Sequence, residues 1–362
     1  MSAAPSSPHR KAPRRRIGLA GLLLAASALA AGPGSTSDGA AGPGADGPDC
    51  PPPPATVPTT ARLQAALRVA RDHGLLWRIE RPARAGQPPR QGWLYGTVPQ
   101  GTLASAAPGP QLREVMQAAR GLVLERAVGL PGEASALHPT EAALQQAEQA
   151  ARQAHPWPAA LGRRLAQAAD AACLDAADRT RPALLQLAAL AEARARRAGW
   201  DAGWSQAEVL RGHAQAAGLP IQGLDTPEEQ VAALWPADAA DGPALIADLL
   251  DQLDDPTWPA VQRRLMQAWS DGHLDTLADW RQWCGCADTP TTAALWQRRL
   301  DARQARWAAR IDARLQDDGG PWLVAIDALH LAGPHGLPAQ LRQRGWQLHP
   351  LTPRRTPSPA AP

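Results

Sequence analysis

Strand-like runs cluster at the two ends of this chain, and the long stretch between them reads almost entirely as helix. On the N-terminal side "GLLWRIER" (Gly74–Arg81) and "RQGWLYGTV" (Arg90–Val98) are rich in β-branched and aromatic residues. The eight residues Pro82–Pro89 between them suit a long hairpin loop. "LVLERA" (Leu122–Ala127) reads as a buried strand after a helix whose Leu112, Val115, Met116 and Ala119 fall on one face, with Gly121 as its stop. On the C-terminal side Trp322–Ile326 and "WQLHPL" (Trp346–Leu351) read as strands that flank the helix "LPAQLRQRG". A sheet here must therefore join segments about two hundred residues apart. The fold class expected is α+β: a mixed β-sheet built from the N- and C-terminal halves, with a mostly helical middle insertion.

That middle is helical from about Pro139 to Gly218, broken at Pro156, Pro158, Pro182 and Gly199. One short strand, Leu219–Leu224, interrupts it. Asp225 or Thr226 then caps a helix with Pro227 in its first turn and Glu228 and Glu229 near its positive end. Further helices are expected from Thr60 to His73, from Pro243 to about Leu277, and from Thr291 to Leu315. "WLYGTVPQG" and "WLVAIDALHLAG" share a pattern of Trp-Leu, strand, polar turn and Gly, which places both turns at the same kind of sheet edge.

The first 30 residues have the layout of a signal peptide: a basic run "HRKAPRRR", the fifteen-residue apolar stretch Ile17–Ala31 that overlaps its end, and a small-x-small cleavage site at Ala28–Ala30. A membrane-spanning helix needs roughly 20 apolar residues, so cleavage near Ala30 is expected, with no stable membrane span afterwards. Residues 31–60 read as a Pro/Gly-rich linker, 61–350 as the folded domain and 351–362 as a disordered tail. The expected location is periplasmic or secreted. Export makes disulfides possible for Cys50, Cys173, Cys284 and Cys286. Four cysteines allow three pairings; the tight ring of a Cys284–Cys286 bond favours each pairing outward, to Cys50 and Cys173.

Charge excludes one class of partner. The five positives Arg10, Lys11, Arg14, Arg15 and Arg16 exceed the formal net charge of +3, so the body beyond residue 30 stands near neutrality, at −2. That leaves no long-range field for nucleic acid. Lys11 is the sole lysine, so the body has no amine for Schiff-base chemistry. Neither H-E-x-x-H, G-x-S-x-G, a P-loop nor G-x-G-x-x-G occurs.

Candidate chemistry lies at strand ends, where a rigid sheet holds a loop. His330 follows Val324–Ile326, Glu125 lies within "LVLERA", and the turn Gly96–Gly101 follows "WLY". A His, a Glu and a third group from separate strands can hold a divalent metal with a position open for water. The bland alternatives are a hydrogen-bonded loop histidine and a Glu125 paired with Arg126 or Arg120. His335 is a second ligand candidate, more simply read as part of a turn.

"LLWRIER…GWLYGTVPQG", "GLVLE", "GLDTPEEQVAAL", "WCGCADTP", "LDARQARWAARI" and "VAIDALHLAGPHGLPAQLRQRGWQL", in this order from about Leu75 to Leu348, resemble the TraB/GumN family. That family is related to the Tiki metalloproteases and, more distantly, to ChaN-like haem-binding proteins. The resemblance implies an α+β fold in which two G-x-x-H motifs and a glutamate surround a divalent metal such as Mn, Co or Zn. The first motif falls on Gly96, Thr97, Val98 and Pro99, so proline replaces its histidine. The glutamate falls on Glu125; Ala127 stands where an acidic residue is often found. The second motif falls on Asp327, Ala328, Leu329 and His330, with Asp in place of Gly. The Arg-Asn pair falls on Arg303 and Gln304, and the "GLET..EQ" segment on Gly223–Thr226, Glu229 and Gln230. Proline cannot ligate a metal. The expectation is a retained scaffold with a degraded site, acting, if at all, by binding a peptide or protein partner or a small molecule. The alternative is an active metal-dependent hydrolase with metal ligands Glu125, His330 and Asp327, and with Arg303 stabilising an oxyanion. A haem-binding reading rests on His330 alone.

Overall fold

The computed structural model describes residues 50–83, 89–126, 139–317 and 320–352. The expected signal peptide, most of the expected linker and tail, Ala127, and part of the predicted hairpin loop lie outside them.

Six strands form one sheet: β1 (Leu75–Arg81), β2 (Arg90–Thr97), β3 (Gly121–Leu124), β4 (Ile221–Gly223), β5 (Trp322–Asp327) and β6 (Gln347–Pro350). Their order is β4-β3-β5-β2-β1-β6. The hairpin pair β1–β2 is antiparallel, as is β1–β6, whereas β2, β5, β3 and β4 are mutually parallel. The C-terminal β5 is thus wedged between β2 and β3. The sheet is mixed, built from both halves of the chain, and the α+β class holds. Parallel strands buried on both faces read as continuous apolar runs, and β5 is buried from Trp322 through Ile326.

The sheet corrects several expected boundaries. The strand expected at Leu122–Ala127 stops at Leu124, so Glu125 lies just beyond it. Gly121 does not stop the preceding helix, which ends at Ala118. It opens β3, where a Cβ would come 2.3 Å from the Trp322 ring. The first helix ends at Val69. The long helix expected from Pro243 divides into Gly242–Asp254, Trp258–Ser270 and Leu274–Ala278. The one expected from Thr291 is interrupted by a π-helical turn at Gln297–Asp301, between helices Pro290–Trp296 and Ala302–Gln316.

The cap before Pro227 is Thr226. Its Oγ1 accepts from the Glu229 N–H, and Glu229 reaches back to the Thr226 N–H. This frees Asp225 to turn inward. The disulfides also differ from expectation: Cys50 pairs with Cys173, and Cys284 with Cys286. Gly285, at φ +62°, lets the chain double back within three residues, so the tight ring closes. The Cys50–Cys173 link spans 123 residues, and a loop of that size restricts the unfolded chain by about 5 kcal/mol in the chain-entropy account. Among the described residues no helix is long and apolar enough to cross a membrane.

Candidate functional site

Three adjacent parallel strands, β2, β5 and β3, end at one edge of the sheet. Thr97 and Asp327 are register partners there, and Glu125 follows β3 on the other side of β5. Both Trp-Leu runs therefore deliver their polar turns to the same edge. The chain after β5 enters a 3-10 turn, Ala328–Leu331, that carries His330. Close approach of this turn explains Gly96: a Cβ there would come 2.7 Å from Leu331 Cδ1. The Gly96 carbonyl accepts from Trp269 Nε1 at 2.7 Å. The Val98 N–H donates to Gln206 Oε1 at 2.9 Å, which anchors the Gly96–Pro99 turn to the helix Gln206–Ala216.

Glu125 does not pair with Arg120 or Arg126. Its Oε1 accepts from the Asp327 backbone N–H at 2.9 Å, and its Oε2 lies 3.5 Å from Arg303 Nη2. Arg303 is itself buried. Its Nε and Nη2 lie 2.8 and 2.6 Å from Asp225 Oδ2, its Nη1 donates to the Arg299 carbonyl, and its guanidinium lies 4.0 Å from the centre of the Trp307 ring. Asp225 Oδ1 accepts from Arg306 Nη2 at 3.0 Å and Trp307 Nε1 at 2.6 Å. Positions 299, 303, 306, 307 and 310 follow helical spacing, so one face of this helix meets the sheet edge.

Asp327 Oδ1 accepts from the Leu329 N–H at 2.8 Å and caps the 3-10 turn. Burial, then the Glu125 carboxylate, pushes the Asp327 acid up to about 7. His330 is 4% exposed and packs against Trp307 with ring centres 4.3 Å apart and the planes tilted by 35°. Its Nδ1 has no hydrogen-bond partner among the described residues. Burial, then the Arg303 and Arg299 guanidiniums, hold its imidazolium well below the usual pKa, so the ring is neutral. Arg299 is buried as well, and burial followed by Arg303 brings it down to about 10. Arg126 is lowered to about 9 by burial and by the Arg211 guanidinium.

The structure thus brings together Gly96, Thr97, Glu125, Arg303, Asp327 and His330. Pro99 lies two residues past the end of β2, and the cysteines take no part. His335 sits in the turn beyond, where its carbonyl accepts from Gln340 Nε2. Sequence reasoning missed Arg299 and Trp307, the two groups that flank His330. The signal for them was the spacing from Arg303 along an amphipathic helix.

The donor set matches a divalent cation poorly. Pro99 offers no atom, Glu125 already accepts a backbone N–H and faces Arg303, and the Asp327 carboxylate caps its own turn. Two guanidiniums occupy the neighbourhood. Among the described residues no three His, Cys, Asp or Glu side chains converge as ligands. What the arrangement offers instead is a neutral imidazole nitrogen and arginine donors beside a strand end.

No curated protein and no solved structure is a significant match to this chain. The sequence model of the TraB/PrgY/gumN family, however, matches residues 75–350, from the first strand of the sheet to the end of its last. The chain belongs to the TraB/PrgY/gumN family.

Proposed function

We propose that this chain is an exported member of its family that works without a catalytic metal, as a binding protein for a peptide or protein partner. The observation that carries this reading is the engagement of Glu125: its two oxygens meet the Asp327 N–H and the Arg303 guanidinium. An ion pair of this kind competes with metal ligation, and Pro99 supplies no side-chain donor where the first motif would carry a histidine. The signal-like N-terminus and the two disulfides support export to an oxidising compartment.

One observation favours the second reading, a metal-dependent hydrolase using Glu125, His330 and Asp327. The buried His330 Nδ1 is a neutral donor with no partner among the described residues.

Metal content of the purified mature chain after equilibration with Mn²⁺, Co²⁺ or Zn²⁺ separates the two. The binding-protein reading expects substoichiometric metal in the wild type and a gain in Pro99→His. Stoichiometric metal that is lost in His330→Ala would overturn it.

A further inference from the structure

The helix that carries Arg299 and Arg303 to the sheet edge has another face. Asp301 and Gln304 lie on it and, with Trp280, Arg281, Leu329 and the turn Gly333–Gly336, line a cleft of about 100 Å³. A cavity of roughly 150 Å³ takes benzene, so this one accepts a head group of a few heavy atoms. Gln304 is 5% exposed, and its Oε1 has no hydrogen-bond partner among the described residues. A buried carbonyl oxygen left without a donor is costly, and a ligand that brings an N–H removes that cost. The π-helical turn Gln297–Asp301 ends at the cleft; such turns recur at functional sites because they re-aim the side chains that follow.

The lining chemistry selects the ligand's charge. Asp301 supplies a carboxylate at the rim, Gln304 a carbonyl oxygen and Trp280 an aromatic face. Arg281 already shows what this set accepts. Its Nη2 donates to Asp301 Oδ2 at 2.9 Å while its guanidinium lies 4.4 Å from the centre of the Trp280 ring. That pair is open to solvent, with side chains 43% and 52% exposed, so it exchanges at small cost. It leaves Gln304 Oε1 without a donor.

We propose that this cleft binds a primary ammonium group on a short alkyl chain, the chemistry of a lysine side chain or a polyamine end. Gln304 and Asp301 are the acceptors, and Arg281 is the internal cation displaced. The cleft touches the Glu125–His330 edge only through Leu329, and its acceptors Asp301 and Gln304 are not among the metal ligands considered there, so it stands or falls apart from the metal measurement.

Saturation-transfer NMR on the mature chain tests it, with n-butylammonium as probe and butyrate and n-butanol as matched controls at constant ionic strength. The expected result is saturable transfer to n-butylammonium and little to either control. Arg281→Ala, which removes the competitor, tightens the probe by about threefold or more. Asp301→Asn and Gln304→Leu each weaken it by about tenfold, the loss of one hydrogen bond to a charged group. Circular dichroism melts establish that each variant is folded, and if one is not, the other decides. Equal transfer to butanol or butyrate, or unchanged binding in the folded acceptor variants, would overturn the proposal. So would the absence of saturable transfer in both the wild type and Arg281→Ala.

Discussion

Asp225 and His330 both neighbour Arg303 and differ in one respect: both carboxylate oxygens of Asp225 meet donors, and His330 Nδ1 meets no partner among the described residues. Asp225 is fully enclosed, and each of its oxygens meets N–H donors from Arg303, Arg306 or Trp307. Its own N–H donates to the Glu125 carbonyl. That is the pattern of a structural network, since a satisfied buried carboxylate fixes the elements that satisfy it. His330 is as deeply buried, but it has a tilted ring contact and neighbouring charge for company rather than a hydrogen bond on Nδ1. A fold does not keep an unsatisfied nitrogen for stability. The difference separates the part of this edge that holds the helix to the sheet from a nitrogen that this network does not use.

The comparison breaks most visibly at Asp225. Asp225→Ala leaves the buried Arg303 without its main partner and should cost about 3–5 kcal/mol, read as a lower urea midpoint. A loss under about 1 kcal/mol would remove the network's structural role. A smaller effect concerns Asp327. Its acid has a folded pKa of about 7 against an unfolded value of 3.8, so between those values the folded state holds more protons. Stability therefore falls as pH rises from about 4 to about 7, on the order of 2 kcal/mol for this half-buried group. Glu192, raised by burial to about 8, slopes the same way. Asp327→Asn removes its own part, and an unchanged pH profile of the urea midpoint would refute the assignment.

His330→Phe keeps the ring against Trp307 and discards the lone nitrogen. A change of less than about 1.5 kcal/mol is expected, and a loss above about 3 would put His330 on the structural side. The smallest effect is at Glu229, where hydrogen bonds from Arg310 hold the carboxyl down at about 2. Its stabilising share is present above the unfolded carboxyl range and is lost as pH falls toward 2. For a pair this open to solvent it is under about 1 kcal/mol. Glu229→Gln should flatten that limb of an acid titration followed by circular dichroism.

How much of this edge could be read in the sequence depended on the distance over which the deciding contact acts. The two Trp-Leu runs announced themselves locally, and their turns do meet, with Thr97 beside Asp327. The Thr226 cap was legible because a capping box is complete within four residues. The partner of Glu125 was not. The neighbours Arg120 and Arg126 were the candidates, and the residue that faces it is Arg303, brought in by a helix from the other half of the chain. The disulfide pairing failed for a related reason: strain in a three-residue ring is decided by one dihedral, at Gly285, that composition does not reveal. The π-helical turn that sets Arg299 apart from Asp301 left no mark in the hydrophobic pattern.

The place of β5 between β2 and β3 has a consequence in time. Leu124 and Trp322 are about two hundred residues apart, which at roughly 5–20 residues per second is about 10–40 s of synthesis. Until then the strands on either side of β5 have no shared neighbour, and each presents a bare edge. The nascent chain is thus the β1–β2 hairpin and the β3–β4 pair, two pieces of sheet waiting for a wedge. The edge that carries Glu125 and His330 comes into existence only when about the last ninth of the polypeptide arrives.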